Sequence, residues 1–131
     1  MIAVVDDDHA VRASIDSLIR SMGFDAVLFC SAQEFLESPE RDAIVCLITD
    51  VQMPSMSGIE LHEWLMGLGI RIPTIFITAF PEEIVRKRAM TGSAVGFLAK
   101  PFQGKMLIDC LETALARPAM QITSWINDSG N

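Results

Sequence analysis

An α/β protein with a parallel sheet covered by helices on both faces is what this chain predicts, and three observations predict it. Five short apolar runs of strand length alternate with five stretches whose apolar residues recur at helical spacing. Nothing longer than a short loop separates them, as expected of strands joined by crossover helices. Four of the five strand runs end in polar residues: the acidic turn Asp6-Asp7, Asp50, Thr78 and Lys100. In a parallel sheet those ends lie on one edge, so side chains far apart in sequence become candidates for a single pocket.

Ile2 to Val5 is an apolar run that ends in Asp6-Asp7-Asp8. From His9 to Met22, the residues Val11, Ile15, Leu18, Ile19 and Met22 mark a helix; an aspartate of the turn can cap it and Gly23 can stop it. Phe24 to Cys30 reads as the second strand. Ser31 and Glu34 have capping-box spacing for a short helix through Leu36. After a polar turn from Pro39 to Asp42, Ala43 to Ile48 reads as a buried central strand, and Asp50 stands at its carboxyl end before the turn formers Pro54 and Gly58. Ile59, Leu61, Leu65, Met66 and Leu68 mark the next helix, ended by Gly67 or Gly69. Pro73 introduces the strand Thr74 to Ile77, which closes on Thr78-Ala79. Pro81, at a first helical position, opens a helix over Glu82 to Met90, with acidic residues early and Arg86, Lys87 and Arg88 late. Ala94 to Ala99 is the last strand, followed by Lys100-Pro101 and a helix over Lys105 to Arg117 with Leu107, Leu111, Ala114 and Leu115 along one face.

Composition narrows the function classes. At 131 residues and half hydrophobic, the chain suits one domain that buries about two thirds of its unfolded surface. Its apolar runs fall far short of the roughly 20 residues that span a membrane, and Met1 to Val5 lacks the pattern of a signal peptide, so the expected setting is soluble and cytoplasmic, without a membrane partner. Cys30, Cys46 and Cys110 show no metal or redox spacing and read as reduced core thiols. A net charge of -7 supplies no basic footprint, so no direct nucleic-acid binding by this stretch is expected.

The clustered carboxylates call for positive charge, since two at ~4 Å repel by about 4 kcal/mol at an effective dielectric near 20. Lys100 neutralises part of this. A divalent cation is the natural remainder, and all-oxygen ligands point to a hard ion, Mg²⁺ first. A carboxylate beside such an ion, an ammonium and a hydroxyl is equipped for phosphoryl transfer, with aspartate as nucleophile.

Val5-Asp6-Asp7-Asp8, Thr49-Asp50-Val51-Gln52-Met53-Pro54 with Ser57-Gly58, Ile77-Thr78-Ala79 and Phe97-Leu98-Ala99-Lys100-Pro101-Phe102 together resemble the receiver domain of two-component response regulators. The flavour is that of receivers of the nitrogen-fixation regulator type, which usually precede a helix-turn-helix output domain. The resemblance covers about residues 1–117 as a receiver domain and leaves 118–131 as a C-terminal tail or linker remnant. It implies a flavodoxin-like (CheY-like) doubly wound sheet of strand order 2-1-3-4-5 with five helices.

Carried over position by position, the resemblance makes Asp50 the phosphoacceptor, served by a histidine kinase or phosphotransfer protein. Asp6, Asp7, Asp50 and the backbone carbonyl of Gln52 would hold Mg²⁺, with Mn²⁺ as a substitute and Asp6 acting mainly through water. Thr78 and Lys100 would be the catalytic and switch partners, Phe97 the switch aromatic and Pro101 a cis-proline. The domain would catalyse only its own phosphotransfer and autodephosphorylation. Homodimerisation would use the face of the fourth helix, fifth strand and fifth helix. The output would be transcription regulation through a DNA-binding domain, or else the chain would act as a stand-alone relay or interaction receiver. Phe97 lacks the hydroxyl of the tyrosine often found there, and Phe80 is bulky and apolar at a position that influences autodephosphorylation in the family.

Taken singly these motifs are bland; their joint occurrence at successive strand ends is not. His9 and His62 read as solvated, the methionines as core or loop filler, and Arg86-Lys87-Arg88 as a solvated helix face. Trp125 and Ile126 read as a docked tail or as linker. A phosphatase of the haloacid dehalogenase kind would carry a second aspartate where Gln52 stands. A flavin-binding module would want a phosphate loop that Asp6-Asp7-Asp8 would repel.

Overall fold

The strands β1 (Ile2–Val5), β2 (Ala26–Phe29), β3 (Cys46–Asp50), β4 (Thr74–Thr78) and β5 (Ala94–Ala99) form one parallel sheet in the order β2-β1-β3-β4-β5. The computed structural model describes residues 1–116. Between the strands run α1 (His9–Ser21), α2 (Ala32–Leu36), a 3-10 turn (Arg41–Ala43), α3 (Gly58–Gly67) and α4 (Glu83–Ala89), and α5 covers 104–116. The doubly wound α/β architecture and strand order are those expected.

Strands covered on both faces read as nearly continuous apolar runs. Every residue of β1, β3 and β4 is buried. On one face Ile2, Val4, Ile48 and Ile77 pack against Ile15 and Ile19 of α1 and Leu107 and Leu111 of α5. On the other, Ala3, Val5 and Leu47 meet Phe35 of α2 and Leu61 and Leu65 of α3, while Phe76 packs with Ile59 and Ala89 beside Val85 and Phe97.

Local signals place the ends. Asp8 caps α1, its carboxylate accepting from the Ala10 and Val11 amides. Ser57 and Glu60 form a complete capping box on α3 that the sequence reading did not use. At the Ser31 cap the serine side chain accepts from Glu34 N–H, but the Glu34 carboxylate accepts from Cys30 N–H instead of the cap residue's own.

Several expectations need correction. The central strand runs Cys46–Asp50 rather than Ala43 to Ile48, because Arg41–Ala43 closes a 3-10 turn first. Pro81 lies outside α4, whose N-cap is Glu82. Cys30 is exposed beyond the end of β2, so only Cys46 is a fully buried core thiol. His62 is buried, since α3 turns it toward Phe76 of β4 in an edge-to-face contact with centroids 5.4 Å apart. The expected tail 118–131, with Trp125 and Ile126, lies outside the described residues. Among the described residues no helix is long and apolar enough to cross a membrane.

Candidate functional site at the carboxyl edge of the sheet

Parallel pairing puts the ends of β1, β3, β4 and β5 side by side, in the register Val5 with Thr49, Asp50 with Ile77 and Thr78 with Ala99. The residues that follow share one edge. Asp6, Asp7 and Asp50 each offer a carboxylate oxygen within 4.8 Å of the others. Lys100 reaches in from the end of β5, its Nζ 3.0 Å from Asp6 Oδ2 and 3.3 Å from Asp50 Oδ2. The Lys100-Pro101 peptide is cis.

The two buried carboxylates are treated differently. Asp6 is fully occupied: one oxygen accepts from Asp8 N–H at 2.8 Å and the other from Lys100. The Arg12 guanidinium also donates to the Asp6 carbonyl at 2.6 Å, tying α1 to the turn. Asp50 is less well served. Its Oδ1 is buried without a hydrogen-bond partner, although a buried charged oxygen normally has one. Burial, then the neighbouring Asp6 charge, pushes the Asp50 carboxyl above its ordinary range, against the pull of Lys100 and the Gln52 backbone amide. Burial alone would lower the Lys100 ammonium, but the hydrogen bond and charge of Asp6 and the charge of Asp50 outweigh it and hold it above its usual range.

Close packing holds the loop after Asp50 in place. A Cβ at Gly58 would overlap the Asp50 carbonyl oxygen and crowd Thr49 Oγ1 at 2.9 Å, so only glycine lets α3 start this near the strand. Gly58 N–H donates to the Val51 carbonyl at 3.0 Å, and Ser55 adopts a positive φ of 71° in the same loop.

Thr78 is fully buried, and its hydroxyl points to the loop: Oγ1 donates to Gln52 Oε1 at 2.7 Å and accepts from Phe80 N–H at 3.0 Å. Phe80 itself is exposed. Phe97 is partly buried against Val85 and Ala89 of α4, away from the acidic cluster. Two contacts go beyond the sequence expectations: the Gln52 side chain, which there counts only as standing where a phosphatase would carry its second aspartate, and Arg12, to which nothing is assigned. The position of Gln52 just after Asp50 was the available signal for the first; for the second there was none.

A family model described as the response regulator receiver domain matches residues 2–112. The chain belongs to that family. Among curated proteins the receiver is similar to nodulation protein W of Bradyrhizobium diazoefficiens, 42% identical over 117 residues that cover 89% of this chain and 52% of that one. Response regulator protein TodT of Pseudomonas putida is 40% identical over 115 residues, covering 88% of this chain and 51% of its own. Transcriptional regulatory protein FixJ of B. diazoefficiens is 37% identical over 120 residues, covering 90% and 58%. Of solved structures, response regulator StyR superposes with a TM-score of 0.82 at 39% identity over 98% of this chain and 65% of that chain. FixJ-N gives 0.76 at 36% identity over 86% and 90%. The receiver spans about half the length of the curated relatives it matches.

Proposed function

We propose that Asp50 accepts a phosphoryl group and that Asp6, Asp7, Thr78 and Lys100 serve that transfer. The observation that carries the reading is the buried, unpartnered Oδ1 of Asp50 at the centre of the acidic cluster. An anion left with a free lone pair beside two further carboxylates is suited both to a cation and to nucleophilic attack. The donor set fits Mg²⁺: all oxygen, one carboxylate exposed to solvent, and a surplus of negative charge over the single ammonium. Asp7, Asp50 and the Gln52 carbonyl would hold the ion, with Asp6 acting on it through water and Mn²⁺ able to replace it. The bound ion would supply charge neutralisation for the phosphoryl oxygens.

In the transfer, an Asp50 carboxylate oxygen bonds to phosphorus as the bond to the donor's leaving atom breaks. The leaving group is an imidazole nitrogen of a histidine kinase or phosphotransfer protein, or the acetate of acetyl phosphate. Lys100 then pairs with the new dianion in place of part of its contact with Asp50, and Thr78 donates to a phosphoryl oxygen. Drawing Thr78 inward would shift Phe97 and the α4-β5-α5 face between two packings, the route to a homodimer or another partner. No activity beyond this self-phosphorylation and its reversal by water is proposed. Similarity to a transcriptional regulatory protein supports a DNA-binding output beyond residues 1–117.

Acetyl phosphate with Mg²⁺, followed by a phosphate-affinity gel, tests this reading. A retarded band is expected in the wild type and none in Asp50→Ala or without the metal. An unshifted wild type, in a reaction where another receiver is labelled, would overturn it.

A further inference from the structure

One hydrogen bond at the acceptor edge has no part in the transfer itself. Thr78 has a single hydroxyl proton, and in this conformation that proton goes to Gln52 Oε1 rather than to the acidic cluster. The two partners differ in freedom. Thr78 is fully buried and held by the Phe80 amide, whereas Gln52 is exposed and lines a cavity of about 540 Å³ with Val51, Pro54, Ile59, Val85 and Arg88. The amide therefore has open space to move into once the hydroxyl leaves it.

Resting on the reading of Asp50 as phosphoacceptor, we propose that Gln52 is a positioning residue: its side-chain carbonyl latches the Thr78 hydroxyl in the unphosphorylated domain and must release it when Asp50 is modified. The exchange is unequal in the useful direction. A hydroxyl bound to a neutral amide gives up that bond for one to an anionic phosphoryl oxygen, which is roughly twice as strong. Without the phosphoryl group, Gln52 is the better partner and the hydroxyl stays out of the site. The side chain two positions after the acceptor thus sets how strongly the domain resists switching, separately from any part its backbone plays.

The test is a titration with beryllofluoride, a phosphoryl mimic that binds an aspartate carboxylate, in magnesium buffer and followed by fluorine NMR. It compares wild type, Gln52→Met, Thr78→Val and the double variant. Methionine keeps the length of glutamine and the main-chain carbonyl but removes the side-chain acceptor. Gln52→Met is expected to bind roughly three- to tenfold more tightly, the scale of one released neutral hydrogen bond. That gain should vanish in the Thr78→Val background, an outcome that mere loop loosening would not produce. Gln52→Leu repeats the comparison with a branched apolar side chain, and the exposure of residue 52 keeps both substitutions clear of the core. Unchanged affinity in Gln52→Met, or an equal gain with and without the Thr78 hydroxyl, would overturn the latch. Failure of the wild type to bind would instead overturn the acceptor reading beneath it, and is told apart because it does not depend on residue 52.

Discussion

The interior of the sheet and its carboxyl edge are built from the same strands by opposite rules. Val5 ends β1 and Asp6 follows it, and both are fully buried, yet the first is apolar and the second charged. In the interior, burial removes apolar surface from water and stabilises at roughly 25 cal/mol per Å². At the edge, burial strips water from Asp6 and Asp50, and only Lys100 compensates among the described side chains. The interior holds the fold; the edge carries buried charge that the interior keeps in place.

Substitutions at the two regions should therefore move stability in opposite directions. The largest effect is expected inside. Phe76 is fully buried between α3 and α4, and Phe76→Ala should lower the urea-derived unfolding free energy by about 3–5 kcal/mol. A loss below about 1 kcal/mol would mean that this layer is loosely packed.

At the edge the sign reverses. The folded Asp50 carboxyl titrates above its ordinary value of 3.8, so the native state binds that proton more tightly than the unfolded chain does. Its contribution to stability is present below 3.8 and is lost as pH rises through the folded value, leaving a net cost at neutral pH. Asp50→Asn in metal-free buffer should then stabilise on the order of 1 kcal/mol, raising Tm by a few degrees in thermal melts, and the advantage should disappear near pH 3. A destabilised Asp50→Asn at neutral pH would erase the contrast between the two regions.

The smallest effect sharpens the comparison from inside the core. His62 is buried with Nδ1 unpartnered and Nε2 3.1 Å from Ser93 Oγ. Burial pushes it below its ordinary 6.5, a fall that the neighbouring Glu63 charge only moderates. A lowered folded value means the unfolded chain takes up the proton first, so stability should fall as pH drops below 6.5 and level off beneath the folded value. Unfolding free energies from urea titrations at about pH 7 and about pH 5.5 should differ less in His62→Gln than in wild type, by up to about 1 kcal/mol. An identical slope in both would show that His62 does not titrate in this range.

How much of this was legible in the residues depended on range. Helix ends followed from caps within a few residues, as at Asp8, and the apolar runs of β1 and β4 were read to within a residue or so. The carboxyl-edge cluster was legible because parallel pairing converts strand ends into neighbours without needing side-chain detail. His62 was misplaced because whether a helical residue faces water or a strand depends on how α3 rolls onto β4, which helical spacing alone does not report. Cys30 looked internal because apolar neighbours were read as strand, but the ladder ends at Phe29 and leaves it outside.

By itself the sequence determined the order of strands and helices along the chain and the polar edge with Asp50 among its carboxylates, because these rest on periodicity, turn residues and the parallel rule. Only the tertiary structure decided which oxygen of which aspartate is left unpaired, and that Thr78 gives its proton to Gln52 across 26 positions of chain. Such pairings depend on distances of about 3 Å between side chains from different strands, and no local pattern encodes a distance of that kind.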